Sequence, residues 1–298
     1  MKEIKKFLEK KSNKEKIIVI YGPTGSGKTS MSIDIAKFLD TEIIGTDSRQ
    51  IFKFMDIGTG KILEHEKKGI IHHMIDIINP DRTYSVGEFK TEAEKIIKEI
   101  HKNNKIPILC GGTGLYIDSL IYDFDIPKVP ADWNLRKKLE EEARLYGEEY
   151  VYNKLFELDP NYAKLVHPNN LRYVIRGIEV KILTGKSKLE FKKEKSLKYE
   201  TLFITPYKGD REELYRNINI RVKSMFDNGL INEVRDLLNK GYNEDDFGMK
   251  TIGYKESILY IKGLISLDET IALVMKENRN YAKRQLTWFS KYPKNKNL

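Results

Sequence analysis

The chain has almost no cysteine and no long apolar run. Its single cysteine, Cys110, cannot close an intramolecular disulfide and offers no zinc framework. The longest apolar stretches, such as Ile17-Ile18-Val19-Ile20-Tyr21, are far too short to cross a bilayer. Residues 1–16 are rich in lysine but hold no apolar segment ending in a small-residue cleavage site, so they read as a basic leader and not as a signal peptide. Internal repeats and low-complexity segments are lacking too, apart from the Lys/Asn-rich last few residues. These absences exclude a disulfide scaffold, a membrane-spanning chain and a repeat array, and lead us to expect a soluble, cytoplasmic, globular protein. Monomer is the default expectation. Positive charge is abundant: 53 Lys+Arg against 44 Asp+Glu gives a net +9, an excess that suits a polyanion such as RNA. At 40% hydrophobic the chain is too apolar for disorder, and 298 residues suffice for one large α/β domain or two modest ones.

Apolar periodicity organises the chain. Residues 17–21 form a β-branched run of the kind buried on both faces of a sheet. A glycine-rich turn follows, then a helix over 29–39. Residues 42–45 read as a second strand, 73–78 as a third and 106–110 as a clear buried one; Val86, Phe89, Ala93, Ile96, Ile97 and Ile100 mark a helix between the last two. The alternation predicts a mostly parallel sheet covered by helices. Near Pro127-Lys128-Val129-Pro130 the texture changes, and from 131 to about 198 the pattern is helical, highly charged and without strand-like runs. Residues 201–205 look like a returning strand, which makes 130–198 a helical insertion into a core of 17–129 and 199–298. The rest is helical, with Leu214, Ile218, Val222, Met225 and Phe226 on one stripe and Ile271, Val274, Tyr281 and Phe289 on another.

Gly22-Pro23-Thr24-Gly25-Ser26-Gly27-Lys28-Thr29 fits G-x-x-x-x-G-K-[ST], between a predicted strand and a predicted helix as that motif requires. The glycines let backbone N–H groups converge on an anion, and the helix N-terminus adds its dipole. Lys28 supplies a point charge, and the Thr29 hydroxyl is a candidate Mg²⁺ ligand. In the common NTPase design an apolar strand ends in a metal-holding Asp. Here Ile106-Pro107-Ile108-Leu109-Cys110 runs into Gly111-Gly112-Thr113-Gly114 with no carboxylate. Asp47 lies just past the second strand, so a parallel sheet would put both Asp47 and Thr113 at its carboxyl edge beside the phosphate loop. On local sequence, Asp47 reads equally as a helix cap or a catalytic carboxylate.

Gly22–Thr29, Asp47-Ser48-Arg49-Gln50-Ile51-Phe52, Met55-Asp56-Ile57-Gly58-Thr59, His72-His73-Met74-Ile75-Asp76 and Gly111-Gly112-Thr113-Gly114-Leu115-Tyr116 occur in the order seen in tRNA dimethylallyltransferases. So do Gly229-Leu230, Glu233-Val234, Ile252-Gly253-Tyr254-Lys255-Glu256 and Tyr281-Ala282-Lys283-Arg284-Gln285-Leu286-Thr287-Trp288-Phe289. The chain resembles that family from about residue 17 to residue 289. The resemblance implies a P-loop α/β core with a helical insertion gripping the anticodon stem-loop. The activity it implies is Mg²⁺-dependent transfer of a dimethylallyl group from dimethylallyl diphosphate to the exocyclic amine of an adenosine next to the anticodon. It implies that the loop holds a departing diphosphate, that Asp47 is the base and that Thr113 contacts the reacting groups. It further implies that Asp47, Ser48, Arg49, Gln50, Thr113, Arg172, Arg176, Lys250, Tyr254 and Lys255 approach tRNA. Lys276, Arg279 and Lys283 make a basic stripe at helical spacing, which also suits a solvated helix face.

Three positions depart from the family pattern. Tyr173 stands where Arg is common, Gly177 where Ala is, and Asn217 where Arg is usual. A glycine inside a helix costs about 1 kcal/mol against alanine, so Gly177 is expected to weaken its helix. The two missing arginines remove positive charge from tRNA or diphosphate contacts, and Arg216 lies on another helix face than Asn217. Competing readings are a P-loop nucleotide or small-molecule kinase, a prenyltransferase acting on free adenine nucleotides, and an RNA-binding module whose loop is structural.

Overall fold

The computed structural model describes residues 2–124, 131–191 and 193–293. The compositional boundary at 127–130 and the Lys/Asn-rich end lie outside the described residues. The chain divides into two compact units, Met1–Ile121 with Leu197–Leu298 and, between them, Tyr122–Ser196.

The first unit begins with α1 (Lys2–Glu9), β1 (Lys16–Tyr21), α2 (Lys28–Leu39), β2 (Ile43–Gly45), α3 (Glu64–Lys67), β3 (His72–His73), α4 (Val86–Lys102), β4 (Ile108–Gly111) and α5 (Gly114–Ile121). The second contains β5 (Tyr122–Phe124), α6 (Trp133–Tyr146), α7 (Glu148–Leu158), α8 (Pro160–Ala163), α9 (Leu171–Thr184) and β6 (Lys193–Leu197), whose last residue falls at the boundary. The chain then completes the first unit with β7 (Glu200–Ile204), α10 (Arg211–Asp227), α11 (Leu230–Asn239), α12 (Tyr254–Ile261) and α13 (Leu267–Phe289).

Five strands form one sheet in the order β3-β2-β4-β1-β7, and every pairing is parallel. Residues 17–20 of β1 are fully buried, which is what an apolar strand covered on both faces requires. The registers Tyr21↔Gly111 and Gly45↔Cys110 bring the carboxyl ends of β1, β4 and β2 level. The loops that follow them, beginning at residues 22, 112 and 46, therefore open on one edge of the sheet. The basic leader folds as α1, whose Ile4 and Phe7 pack into the cluster containing Ile18, Ile20, Ile33 and Ile108.

Two expected elements need correction. The third strand is only His72–His73, because Met74 and Asp76 take positive φ (63° and 56°) and turn the chain. The turn delivers the Asp76 carboxylate to Lys61, a buried ammonium that also bonds Asp56 and the Phe52 carbonyl. The insertion is not wholly helical either: β6 pairs with β5, where densely charged sequence hid the strand.

Gly177 also reverses its expectation. A Cβ there would lie 2.6 Å from the Tyr162 ring and 2.8 Å from Leu155 Cδ1, so α9 packs against α7 and α8 only because the side chain is absent. The same unit buries Glu179, whose carboxylate bonds Arg136 and Arg176 and accepts the Asp132 N–H at 2.8 Å.

Candidate active site

A cavity of about 350 Å³ opens at the carboxyl edge of the sheet in the first unit. Thr24, Lys28 and Thr29 of the phosphate loop line it, with Asp47, Arg49 and Gln50 from the loop after β2 and Cys110 and Gly111 from β4. Arg221 enters from α10, Lys250 and Lys255 from around the start of α12, and Tyr281, Arg284 and Gln285 from α13.

Gly25 and Gly27 take positive φ (77° and 87°), the backbone course that the turn between β1 and α2 demands and that L side chains resist. Lys28 Nζ donates to the Pro23 carbonyl at 2.7 Å, which draws the loop around its own cation. Burial lowers the Lys28 pKa to about 8, partly offset by Cys110 and Asp47. The hydroxyl of Ser26, in the same loop, is buried without a hydrogen-bond partner among the described residues. Arg221 was missed from sequence: its Nη1 donates to Thr24 Oγ1 at 2.9 Å and its Nη2 to the Thr59 carbonyl at 3.2 Å. It lies four residues beyond Asn217, which is exposed and does not line the cavity. Helical period was the available signal, since Arg221 follows Ile218 on the stripe that packs against Gly25.

Asp47 caps no helix among the described residues and closes a turn instead. Its Oδ1 accepts the Arg49 N–H at 2.9 Å, a local turn bond, while Oδ2 has no hydrogen-bond partner among the described residues. Thr113 Oγ1 accepts the Ser48 N–H at 3.0 Å and approaches Ser48 Oγ at 3.3 Å, so the two loops are fastened together beside Asp47. Neither Thr113 nor Ser48 is among the residues that line the cavity. Tyr281 lies against Thr113, its phenol pushed up to about 12, chiefly by burial and then by the charge of Asp47. It remains a neutral O–H donor at any physiological pH.

Other expected tRNA contacts are dispersed. Lys250 and Lys255 are exposed at the cavity rim, and Arg172 is exposed on α9 in the second unit. Arg176 is engaged with buried Glu179. Tyr254 requires a correction, because its side chain is fully buried and its hydroxyl donates to Glu233. Glu233 also accepts the N–H groups of Asp56, Ile57 and Gly58 at 2.9, 2.8 and 3.2 Å. Tyr254 thus belongs to the clamp on the 55–60 loop, whose Gly60 and Thr59 carbonyls hold Gln50 and Arg221.

Parallel strands with a phosphate-loop motif after β1 and a carboxylate at the same edge define a P-loop α/β protein. The family model for IPP transferase matches residues 50–292, and the chain belongs to that family. It is 50% identical over 280 residues to the tRNA dimethylallyltransferase of Alkaliphilus oremlandii, covering 94% of this chain and 90% of that relative. It is similar in structure to the tRNA isopentenylpyrophosphate transferase of Bacillus halodurans, with a TM-score of 0.67 and 41% identity over 93% of this chain and 88% of that one. A eukaryotic dimethylallyltransferase, in crystallographic snapshots of it acting on tRNA, matches with a TM-score of 0.79 and 31% identity over 92% of this chain and 70% of its own. Among the described residues no helix is long and apolar enough to cross a membrane.

Proposed function

We propose that this protein transfers a dimethylallyl group from dimethylallyl diphosphate to N6 of the adenosine next to the anticodon of a tRNA, releasing diphosphate. The observation that carries the reading is that the phosphate loop and the half-bonded Asp47 carboxylate line one cavity. Family membership supports the same reaction.

The loop amides, Lys28 and Arg221 bind the diphosphate and stabilise the negative charge that gathers on it as the allylic C–O bond breaks. Adenine N6 is a weak nucleophile because its lone pair is delocalised into the ring. Asp47, with Oδ2 unengaged, takes a proton from N6 as the new N–C bond forms. Thr113 fixes the Ser48 backbone beside that carboxylate, and Tyr281 offers a neutral donor at the same wall. Thr29, exposed and lining the cavity directly after Lys28, is the residue whose hydroxyl would hold Mg²⁺. Such a site suits a cation that takes most ligands from phosphate oxygens and water. When bound there, the ion would neutralise charge on the leaving diphosphate.

The target base must leave the anticodon-loop stack to reach the cavity. In this reading Arg49, Gln50, Lys250 and Lys255, which line the cavity, would receive the loop, and exposed Arg172 would give the second unit a phosphate contact. The test is to incubate the protein with dimethylallyl diphosphate, Mg²⁺ and unmodified tRNA, digest the RNA and measure nucleoside masses. Prenylated adenosine in the tRNA is expected. Product formed only in a parallel reaction with AMP would mark a free-nucleotide prenyltransferase, and phosphoryl transfer from ATP would mark a kinase.

A further inference from the structure

α13 is fastened near its C-terminal end. Trp288 Nε1 donates to Asp118 Oδ2 at 3.1 Å, and Lys291 Nζ and the Tyr292 hydroxyl bond the same buried carboxylate. Trp288 also covers Gly114, where a Cβ would lie 2.1 Å from its ring. About one turn earlier, Gln285 is only 4% exposed, and its side-chain amide spans two loops. Its Oε1 accepts the Thr24 N–H of the phosphate loop at 2.8 Å, and its Nε2 donates to the Gly112 carbonyl at 2.9 Å. The approach is so close that a Cβ on residue 112 would lie 2.2 Å from Nε2. Gly112 precedes Thr113, whose hydroxyl holds the backbone beside Asp47.

We propose that Gln285 is a positioning residue that sets the distance between the diphosphate loop and the Asp47–Thr113 edge. It acts through Thr24 and Gly112, and the inference rests on the prenyl-transfer reading. In-line displacement needs the allylic carbon, held through its diphosphate, within reach of N6, held beside Asp47. The two anchoring loops are far apart along the chain, one at Thr24 and the other at Gly112, although β1 and β4 bring them side by side. A side-chain amide offers the acceptor needed by the Thr24 N–H and the donor needed by the Gly112 carbonyl. A hydrocarbon satisfies neither, and an ionised carboxylate satisfies only the first. Each loop keeps its own ligand contacts when the bridge is lost, so the damage falls on the chemical step and not on binding.

The experiment compares wild type with Gln285→Leu and Gln285→Glu, measuring single-turnover transfer to tRNA and, separately, equilibrium binding of inorganic pyrophosphate and of tRNA. Misplacement by about 1 Å costs on the order of 10²-fold in rate, so Gln285→Leu should transfer about 30- to 100-fold more slowly, with both affinities within about threefold of wild type. Gln285→Glu supplies a readout that a purely structural role would not move. Burial favours the neutral carboxyl, whose O–H replaces the amide donor to Gly112. Its rate should therefore approach wild type as pH falls and drop as the carboxyl ionises, on top of any wild-type profile. Four results overturn the proposal: a Leu variant within about threefold of wild-type rate, a rate loss matched by lost pyrophosphate affinity, a rate loss matched by lost tRNA affinity, or a Glu variant whose pH profile parallels wild type. Wild-type protein that transfers no prenyl group overturns the functional reading and this proposal together, whereas an active wild type with an unaffected Leu variant overturns only the role of Gln285.

Discussion

Burial of Lys28 has a consequence that can be read against pH. With its pKa lowered to about 8, the ammonium is charged below that pH and ready for an anion. Above it the free protein carries a neutral amine, and binding diphosphate requires proton uptake. Pyrophosphate affinity should be flat below about pH 8 and then weaken by up to about tenfold per pH unit, a slope Lys28→Ala should lack. Titration calorimetry at several pH values checks this, and a wild-type affinity that stays flat to pH 9.5 would contradict it. Gly177 carries the second prediction at this scale. Gly177→Ala should destabilise the fold by about 1–3 kcal/mol through overpacking against Tyr162 and Leu155, despite the better helix propensity of alanine. Thermal unfolding decides between these, since a propensity effect would instead raise Tm. The propensity of residue 177 was readable in the sequence; its neighbours were not, because they come from helices whose packing no local pattern reveals.

Among elements, the phosphate loop, the 46–50 loop and the Gly111–Gly114 turn were recognisable from sequence because each follows an apolar strand, and a parallel sheet brings such turns to one edge. What holds those loops was not recognisable. Glu233 serves three backbone N–H groups across 175 to 177 residues of chain and the Tyr254 hydroxyl across 21, and such pairing leaves no periodic trace. The shortened third strand has the same origin, since the demand of Lys61 for Asp76 outweighs the β-rich composition of residues 73–78. Glu233→Ala should leave the N–H groups of Asp56, Ile57 and Gly58 without their acceptor and cost about 3 kcal/mol or more, given 1.5–3 kcal/mol for each hydrogen bond to a charged group. Chemical denaturation would show the loss. Pyrophosphate binding should weaken alongside it, because the same loop holds Arg221 through the Thr59 carbonyl. Unchanged stability would mean that the 55–60 loop stands without its clamp.

For the molecule as a whole, the net charge of +9 forecast a polyanionic partner, and the motifs in their order forecast the family to which the chain belongs. Composition could not say which cations are available. Arg176 is tied to Glu179 and Arg221 to the phosphate loop, while Lys250 is exposed at the cavity rim. Lys250→Ala should weaken tRNA binding about equally for all tRNAs and reduce the salt slope by about 0.7, the value for one contact to a single-stranded phosphate. The central claim is that one cavity binds the diphosphate and, through Asp47, activates the amine. Its most direct test is Asp47→Asn in single-turnover transfer, alongside equilibrium binding of pyrophosphate and tRNA. The account predicts a rate lowered by about 10²-fold or more, with both affinities little changed. A surviving single-turnover rate with collapsed tRNA affinity would contradict it, showing that Asp47 holds the adenosine and another group takes its proton.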